Sequence, residues 1–362
     1  MLRGFIFRCE IMKDSHFIVI PLMLKNLLIF IVVFSLSSCG YSQSKTYNYP
    51  ITPQGKEPKF DEDFMKIKIR SSIALRTRIL DKHSINELSG IAWDKDEKLL
   101  YAISDEGLLY HFELGFSDNS KDRKLRTMNA VYATSLKDKV GEALEGKYSD
   151  SEGLSLINGN NGKLGDSKLI VSFENKPRVA EYSTDGSLLK KIRIPKKLHK
   201  RKTYRHKNKA LESVTNHPKY GILTAAEYPI QKNNIKFQSL YATVKKGKKK
   251  VWHFKASEAA NSAITGLEIL QDGTVLILER AYQNPITPII ITLRRLWLDK
   301  CNKKRECETE NIATFNGSDG WLLDNFEGLA HLQDNQYLMV SDDNQNPLQN
   351  TILVHFEIIN TL

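Results

Sequence analysis

The chain is a succession of short apolar runs rich in Val, Ile, Tyr and Phe, broken by Gly, Asp, Asn and Lys, with no long stretch of 3.6-residue spacing. That pattern predicts strands joined by turns rather than helices. Five segments share one plan: "SGIAWDKDEKLLYAISDEG" from Ser89, "EGLSLI" with "KLIVSFENKP" from Glu152, "ESVTNHPKYGILTAAEYP" from Glu212, "TGLEILQDGTVLILERAY" from Thr265 and "EGLAHLQDNQYLMVSDDN" from Glu327. Each runs from a polar residue and a small one through an apolar strand, a turn and a second apolar strand to an acid. The starts are separated by 63, 60, 53 and 62 residues. Each interval holds two more strands, such as "GLLYHFEL" and "NAVYATSL" in the first. Four antiparallel strands per repeat make a propeller blade. The last repeat has only three strands before Leu362, and "KIKIRSSIALRTRIL" (66–80) is expected to supply the fourth and close the ring. The fold expected is all-β, a β-propeller of five four-stranded blades closed by an N-terminal strand; six blades stay open if two have been merged.

Composition agrees: 362 residues, 41% apolar and 26% charged, can bury a core, so disorder is not the default. The N-terminal region reads differently. "MLKNLLIFIVVFSLSSCGYSQ", from Met23, has a basic start, an apolar stretch and a small-residue site ending at Cys39, a secretory signal layout. Its apolar part is short of the roughly 20 residues that span a bilayer. "LSSC" (36–39) resembles a bacterial lipobox, which implies cleavage before Cys39 and lipidation of its sulfur. The expected division is a signal peptide at 1–38 (1–22 being an upstream extension if Met23 is the true start), a lipidated Cys39 with a flexible tether at 39–62, and the propeller at 63–362. Removing the leader takes Arg3, Arg8, Lys13, Lys25, Glu10 and Asp14 from the totals of 53 basic and 42 acidic residues, leaving 49 − 40 = +9. The mature chain stays basic, but nucleic acid is a poor partner for an exported, tethered protein, and its membrane contact is expected through the lipid alone. Cys301 and Cys307 flank "NKKRE", where an oxidising envelope favours a disulfide over a metal site. CxxC, HExxH, GxSxG and Walker patterns are absent from the sequence.

Facing residues of an antiparallel pair have a constant sum, so the turn positions test which acids meet. Glu327 and Asp342 centre on Asp334-Asn335, Thr265 and Glu279 on "QDGT", Glu212 and Glu227 on "PKYG", Ser89 and Asp105 on "KDEK", and Glu152 and Glu174 on "NGNNGKLGDS". Propeller geometry then puts five such pairs around one mouth of the channel. Facing carboxylates repel by tenths of a kcal/mol up to about 1 kcal/mol. Three things can offset this: Ca²⁺ with its oxygen ligands, shared protons, or arginines, with Arg178, Arg205 and Arg280 close by in sequence. The plainer alternative is that each acid caps a turn or pairs with a neighbouring blade. The basic runs "PKKLHKRKTYRHKNK" (195–209) and "KKGKKK" (245–250) read as solvated loops or as a surface facing anions.

"ELSGIAWDKDEKLLYAISDEG", "DSEGLSLI", "LIVSFENKPRVAEYSTDG", "NKALESV", "GLEILQDGTVLILERAY" and "SDDNQNPLQNTILVHFEI" resemble the phytase-like (esterase-like activity of phytase) domain family of bacterial envelope proteins, from about Glu87 to Ile358. The resemblance implies a β-propeller and phosphate-ester hydrolysis, and carries Glu152, Glu174, Arg178, Glu212, Glu279, Arg280, Glu327, Asp342, Asp343 and Asn344 as site residues. In "ALESV", Ser213 stands where the pattern has glycine. The expectation is a monomeric hydrolase, lipid-anchored in the bacterial envelope at the outer membrane, acting on a phosphorylated small molecule or an anionic envelope component. Glu327, Asp342, Glu212 and Glu227 would be catalytic, Glu152, Glu174, Glu279, Asp105 and Asp343 would hold Ca²⁺, and Arg178, Arg280, Arg205, Lys209 and Asn344 would bind substrate. The competing expectation is a non-catalytic propeller that binds a ligand or partner through the same face.

Overall fold

The computed structural model describes residues 46–53, 60–75, 79–80, 83–117, 123–206, 209–231, 235–243, 250–284 and 286–359. The expected signal peptide, Cys39 and most of the 245–250 run lie outside the described residues. Five four-stranded antiparallel units follow one another, each in simple up-and-down order. Blade 1 is Leu88–Asp94, Leu99–Ser104, Leu108–Phe116 and Leu125–Ser135. Blade 2 is Ser151–Ile157, Lys168–Phe173, Arg178–Ser183 and Leu188–Ile192. Blade 3 is Leu211–His217, Gly221–Ala226, Phe237–Ala242 and Val251–Lys255. Blade 4 is Ser262–Ile269, Val275–Ala281, Ile290–Cys301 and Cys307–Asn316. Blade 5 is Asn325–Gln333, Gln336–Asp342 and Thr351–Ile358, completed by Ile67–Leu75 from the other end of the chain. The blade count is therefore five.

The second strand of each blade is buried on both faces because neighbouring blades stack face to face. That is why "LLYAIS" and "YLMVS" read as continuous apolar runs rather than alternating ones. One cluster joins Ile73, Val340 and Leu353 of blade 5 to Ile91, Leu100 and Tyr110 of blade 1, and so seals the ring where its two ends meet. Residues 46–53, read from the sequence as tether, belong to the propeller surface. Thr46–Asn48 pairs with Ile73–Leu75, and Ile51 is fully buried. An isolated "TYN" has too little apolar pattern to announce a strand, and only the waiting edge of Ile67–Leu75 makes it one.

The innermost strands approach one another so closely that the channel is plugged. A Cβ on Gly153 would lie 2.7 Å from Ser213 Cα, and one on Gly90 would lie 2.7 Å from Leu154 N, so glycine is required at both positions. Ser213 is accommodated, 1% exposed, despite departing from the pattern. The remaining gap along the axis is about 10 Å³. Each mouth is thus the opening of a closed cup rather than of a pore.

Cys301 and Cys307 face each other across the outer hairpin of blade 4 and are joined by a disulfide. The clamped tip leans on blade 3, where the His253 amide donates to the Arg305 carbonyl at 2.8 Å.

Candidate functional site

Each innermost strand carries one extra residue at its start. The pairing passes from Leu88 to Gly90, from Ser151 to Leu154, from Leu211 to Ser213, from Ile264 to Gly266 and from Phe326 to Gly328, each with a shift of register. Ser89, Glu152, Glu212, Thr265 and Glu327 sit at these bulges, outside the ladder. A bulge bends the strand and re-aims its side chain. The residues expected opposite the second-strand acids are therefore displaced, by two positions in blades 1, 2, 3 and 5 and by one in blade 4. Asp105 meets Glu87 and Glu174 meets Asp150 through backbone bonds of 3.3 and 3.1 Å, Glu227 meets Ala210 at 3.0 Å, and Asp342 pairs with Asn325.

In blade 4 the displacement changes which residue reaches the rim. Ala263 pairs with Arg280, and Ile264 with Glu279. Arg280 therefore occupies the position that Asp105, Glu174, Glu227 and Asp342 hold in the other blades. Its guanidinium donates to Glu327 Oε1 at 2.7 Å and lies 3.4 Å from Glu227 Oε1, joining blade 4 to both neighbours. Glu279, expected as a metal ligand, points to the opposite face of the sheet. It is 1% exposed and is held by Arg294 at 2.8 Å, Ser262 Oγ at 3.0 Å and the Ser257 amide at 3.1 Å. Successive strand residues face opposite ways, so a one-residue shift is enough to exchange their roles.

The cup holds far more acid than base. Asp150, Glu152 and Glu174 place one oxygen each within 4.8 Å of one another, and Glu174, Glu212 and Glu227 do the same. Glu174 belongs to both sets. Burial and then the neighbouring Glu212 push Glu152 well above the usual carboxylate range; burial and then Glu227 do the same to Glu212. Glu174 is pushed up to about 7 by burial and Asp150. Asp105 and Asp342 are each pushed up to about 8, by burial first and next by Glu87 and Glu327 respectively. Against these stand Lys209, 3.1 Å from Glu227 Oε2, and Arg280. Burial lowers the pKa of both, but the surrounding carboxylates more than offset it and hold both above their usual range.

Other expected residues take different places. Asp343 bridges blades 5 and 1, accepting from the Glu87 amide at 3.1 Å and Thr351 Oγ1 at 3.1 Å. Asn344 donates its amide to Asp342 Oδ1 at 2.7 Å and its side chain to Gln349 at 3.3 Å. Arg205 donates to the Pro229 carbonyl at 2.8 Å. Arg178 stacks 3.5 Å over the Phe173 ring, outside both carboxylate triads. Two contributors escaped the sequence reading. Asp150 appears once the bulge is allowed, two residues before Glu152; Asn325 donates to both Glu327 at 2.9 Å and Asp342 at 3.1 Å.

Arg280→Met is expected to destabilise the protein by about 3–5 kcal/mol at pH 8.5, the cost of leaving buried partners uncompensated. The loss should shrink at pH 5, where Asp105, Asp342 and Glu174 carry protons and the cup holds less negative charge. Denaturant titrations at the two pH values check this, and a loss that does not depend on pH would contradict it.

A family model described as phytase-like, esterase-like activity of phytase, matches residues 83–345. No curated protein sequence matches the chain. Among solved structures, the PQQ-bound aldose sugar dehydrogenase of Streptomyces coelicolor is 11% identical, with 81% of this chain and 99% of that one covered and a TM-score of 0.41. The Cps50 (Swd1) β-propeller domain of Myceliophteria thermophila is 12% identical over 74% and 65% of the two chains, at 0.34. The Pan2 WD40 domain of Neurospora crassa is 9% identical over 84% and 98%, at 0.35.

Proposed function

The chain belongs to the phytase-like family, and on that premise we propose that it is a calcium-dependent phosphoester hydrolase whose site is the carboxylate cup. The observation that carries this reading is the pair of triads meeting at Glu174. Their donors are all carboxylate oxygens, and separations within 4.8 Å suit a cation whose ligands lie about 2.3–2.6 Å away. Asp150, Glu152 and Glu174 would hold one ion and Glu174, Glu212 and Glu227 a second. A bound calcium ion supplies Lewis acidity toward a phosphoryl oxygen and lowers the pKa of water.

The chain's own groups divide the remaining work. Lys209 and Arg280 stand at the cup with their charges directed at Glu227 and Glu327, and they offer the phosphate oxygens cationic donors. Asp342, at about 8, becomes able to take a proton from an attacking water as pH rises to about 8. Asn325 and the Asn344 amide keep its carboxylate in place. The substrate class is a phosphorylated small molecule or an anionic envelope component. The lipobox-like "LSSC" at 36–39 supports a location at the bacterial envelope, tethered through Cys39.

Phosphate release from a panel of phosphomonoesters is expected to require added Ca²⁺ and to fall at least 100-fold in Glu174→Gln. Calcium binding without any phosphate release would sink the enzymatic reading and favour a ligand-binding propeller.

A further inference from the structure

A cavity of about 810 Å³ opens over the outer strands of blade 2, and its lining includes the apolar Leu144, Leu188 and Ile192 and the cationic Lys176, Arg178, Lys191 and Arg201. Its volume is that of a small-molecule site, and its lining is both apolar and cationic. The three apolar residues are only half-buried, so they are left facing the cavity. The acids present are Asp138 and Glu145, and Asp138 already accepts from the amides of Val140 and Glu142 at 2.8 and 3.1 Å.

Arg178 is the most telling residue. It stacks on Phe173 and donates to the carbonyls of Lys176, at 3.1 Å, and Tyr148. It forms no ion pair among the described residues. Burial holds its pKa below the usual arginine range, while Tyr182 and the more distant Asp150 pull it back up. A partly desolvated guanidinium with no carboxylate in ion-pair contact is costly, and an arriving anion relieves that cost. Lys176 and Lys191 add two exposed cations to the same lining.

We infer that this cavity binds a small organic anion with an apolar body, its charged group against Arg178 and Lys176 and its body on Leu144, Leu188 and Ile192. An inorganic anion would leave those side chains wet, and a neutral amphiphile would leave Arg178 without a counter-charge. The site goes beyond the hydrolase reading and does not depend on the cup being catalytic.

Calcium-free full-length protein is titrated with 8-anilino-1-naphthalenesulfonate and, in parallel, with N-phenyl-1-naphthylamine, which has the same rings without the sulfonate. Saturable one-to-one binding of the sulfonate is expected, at least tenfold tighter than the neutral probe. The double variant Lys176→Glu/Lys191→Glu, altered only at exposed positions, should lose at least tenfold in sulfonate affinity, and Glu174→Gln should bind as the unaltered protein does. Equal affinity for the two probes, or unchanged sulfonate binding by the double variant, overturns the assignment.

Discussion

Removing residues 46–80 is expected to abolish cooperative folding of the propeller. Ile67–Leu75 pairs along the whole of Thr351–Ile358 and supplies the fourth strand of blade 5. Its Ile67, Ile69, Ile73 and Leu75 are 0%, 2%, 1% and 5% exposed. At about 1.5–3 kcal/mol for each buried aliphatic side chain, these four alone stabilise the fold by roughly 6–12 kcal/mol, as much as a typical domain's entire net stability of about 5–15 kcal/mol. Deletion would also bare the Thr351–Ile358 edge, a template for association. Circular dichroism should show a lost or broad thermal transition, and size exclusion should show aggregates. A sharp melt at an unchanged temperature would show that closure by this strand is dispensable. Ile73→Ala, within the cluster joining blades 5 and 1, is the milder form and should cost about 2–5 kcal/mol.

Calcium should stabilise the protein strongly at alkaline pH and weakly at acid pH. Asp105 and Asp342, at about 8, and Glu174, at about 7, keep protons in the folded state that the unfolded chain releases near pH 4. The folded protein thus binds more protons than the unfolded one between about pH 4 and 8. Without metal, the stability from these groups is fully present below about pH 4 and is lost as pH rises through 7 to 8. Calcium competes with the protons held on Glu174 and on the neighbouring Glu152 and Glu212, so its affinity rises as pH rises. At a free concentration 100 times Kd it would add about 2.7 kcal/mol, which is several degrees in Tm. Melting curves at pH 5.5 and 8.5, with Ca²⁺ and with a chelator, should show a falling Tm in chelator and a larger calcium shift at pH 8.5. Glu174→Gln removes the oxygen donor common to both triads and should lose most of that shift. A shift of equal size at both pH values, or one untouched by Glu174→Gln, would rule out the cup as the binding site.

Strand order, hairpin turns, ring closure and the Cys301–Cys307 bond were all legible, because each depends on residues near one another in sequence or on one apolar segment left without a partner. The constant-sum test located the mouth of the channel correctly but assumed an unbroken ladder. The bulge in each of these inner strands, added to a hairpin register one below the assumed sum, moves the facing partner from Ser89 to Glu87 and from Glu152 to Asp150. In "LER" a one-residue shift selects Arg280 and turns Glu279 toward Arg294. Nothing in the composition of "ITGLEI" announces a bulge. It arises where the inner strands crowd around the axis, as the contact of Gly153 with Ser213 shows.

Hydrophobic periodicity and turn chemistry act over a few residues, so the strands, their turns and the gathering of acids at one end of the inner hairpins could be read from the chain, with the choice between five and six blades left open. Only the tertiary structure decided which of those acids share a space and which cations answer them. Arg280 meets Glu327 and Glu227 across 47 and 53 residues of chain, and Glu174 joins carboxylates from blades 2 and 3. These are Coulombic interactions between separate sheets, and their strength depends on distance and burial that exist only once the ring has closed.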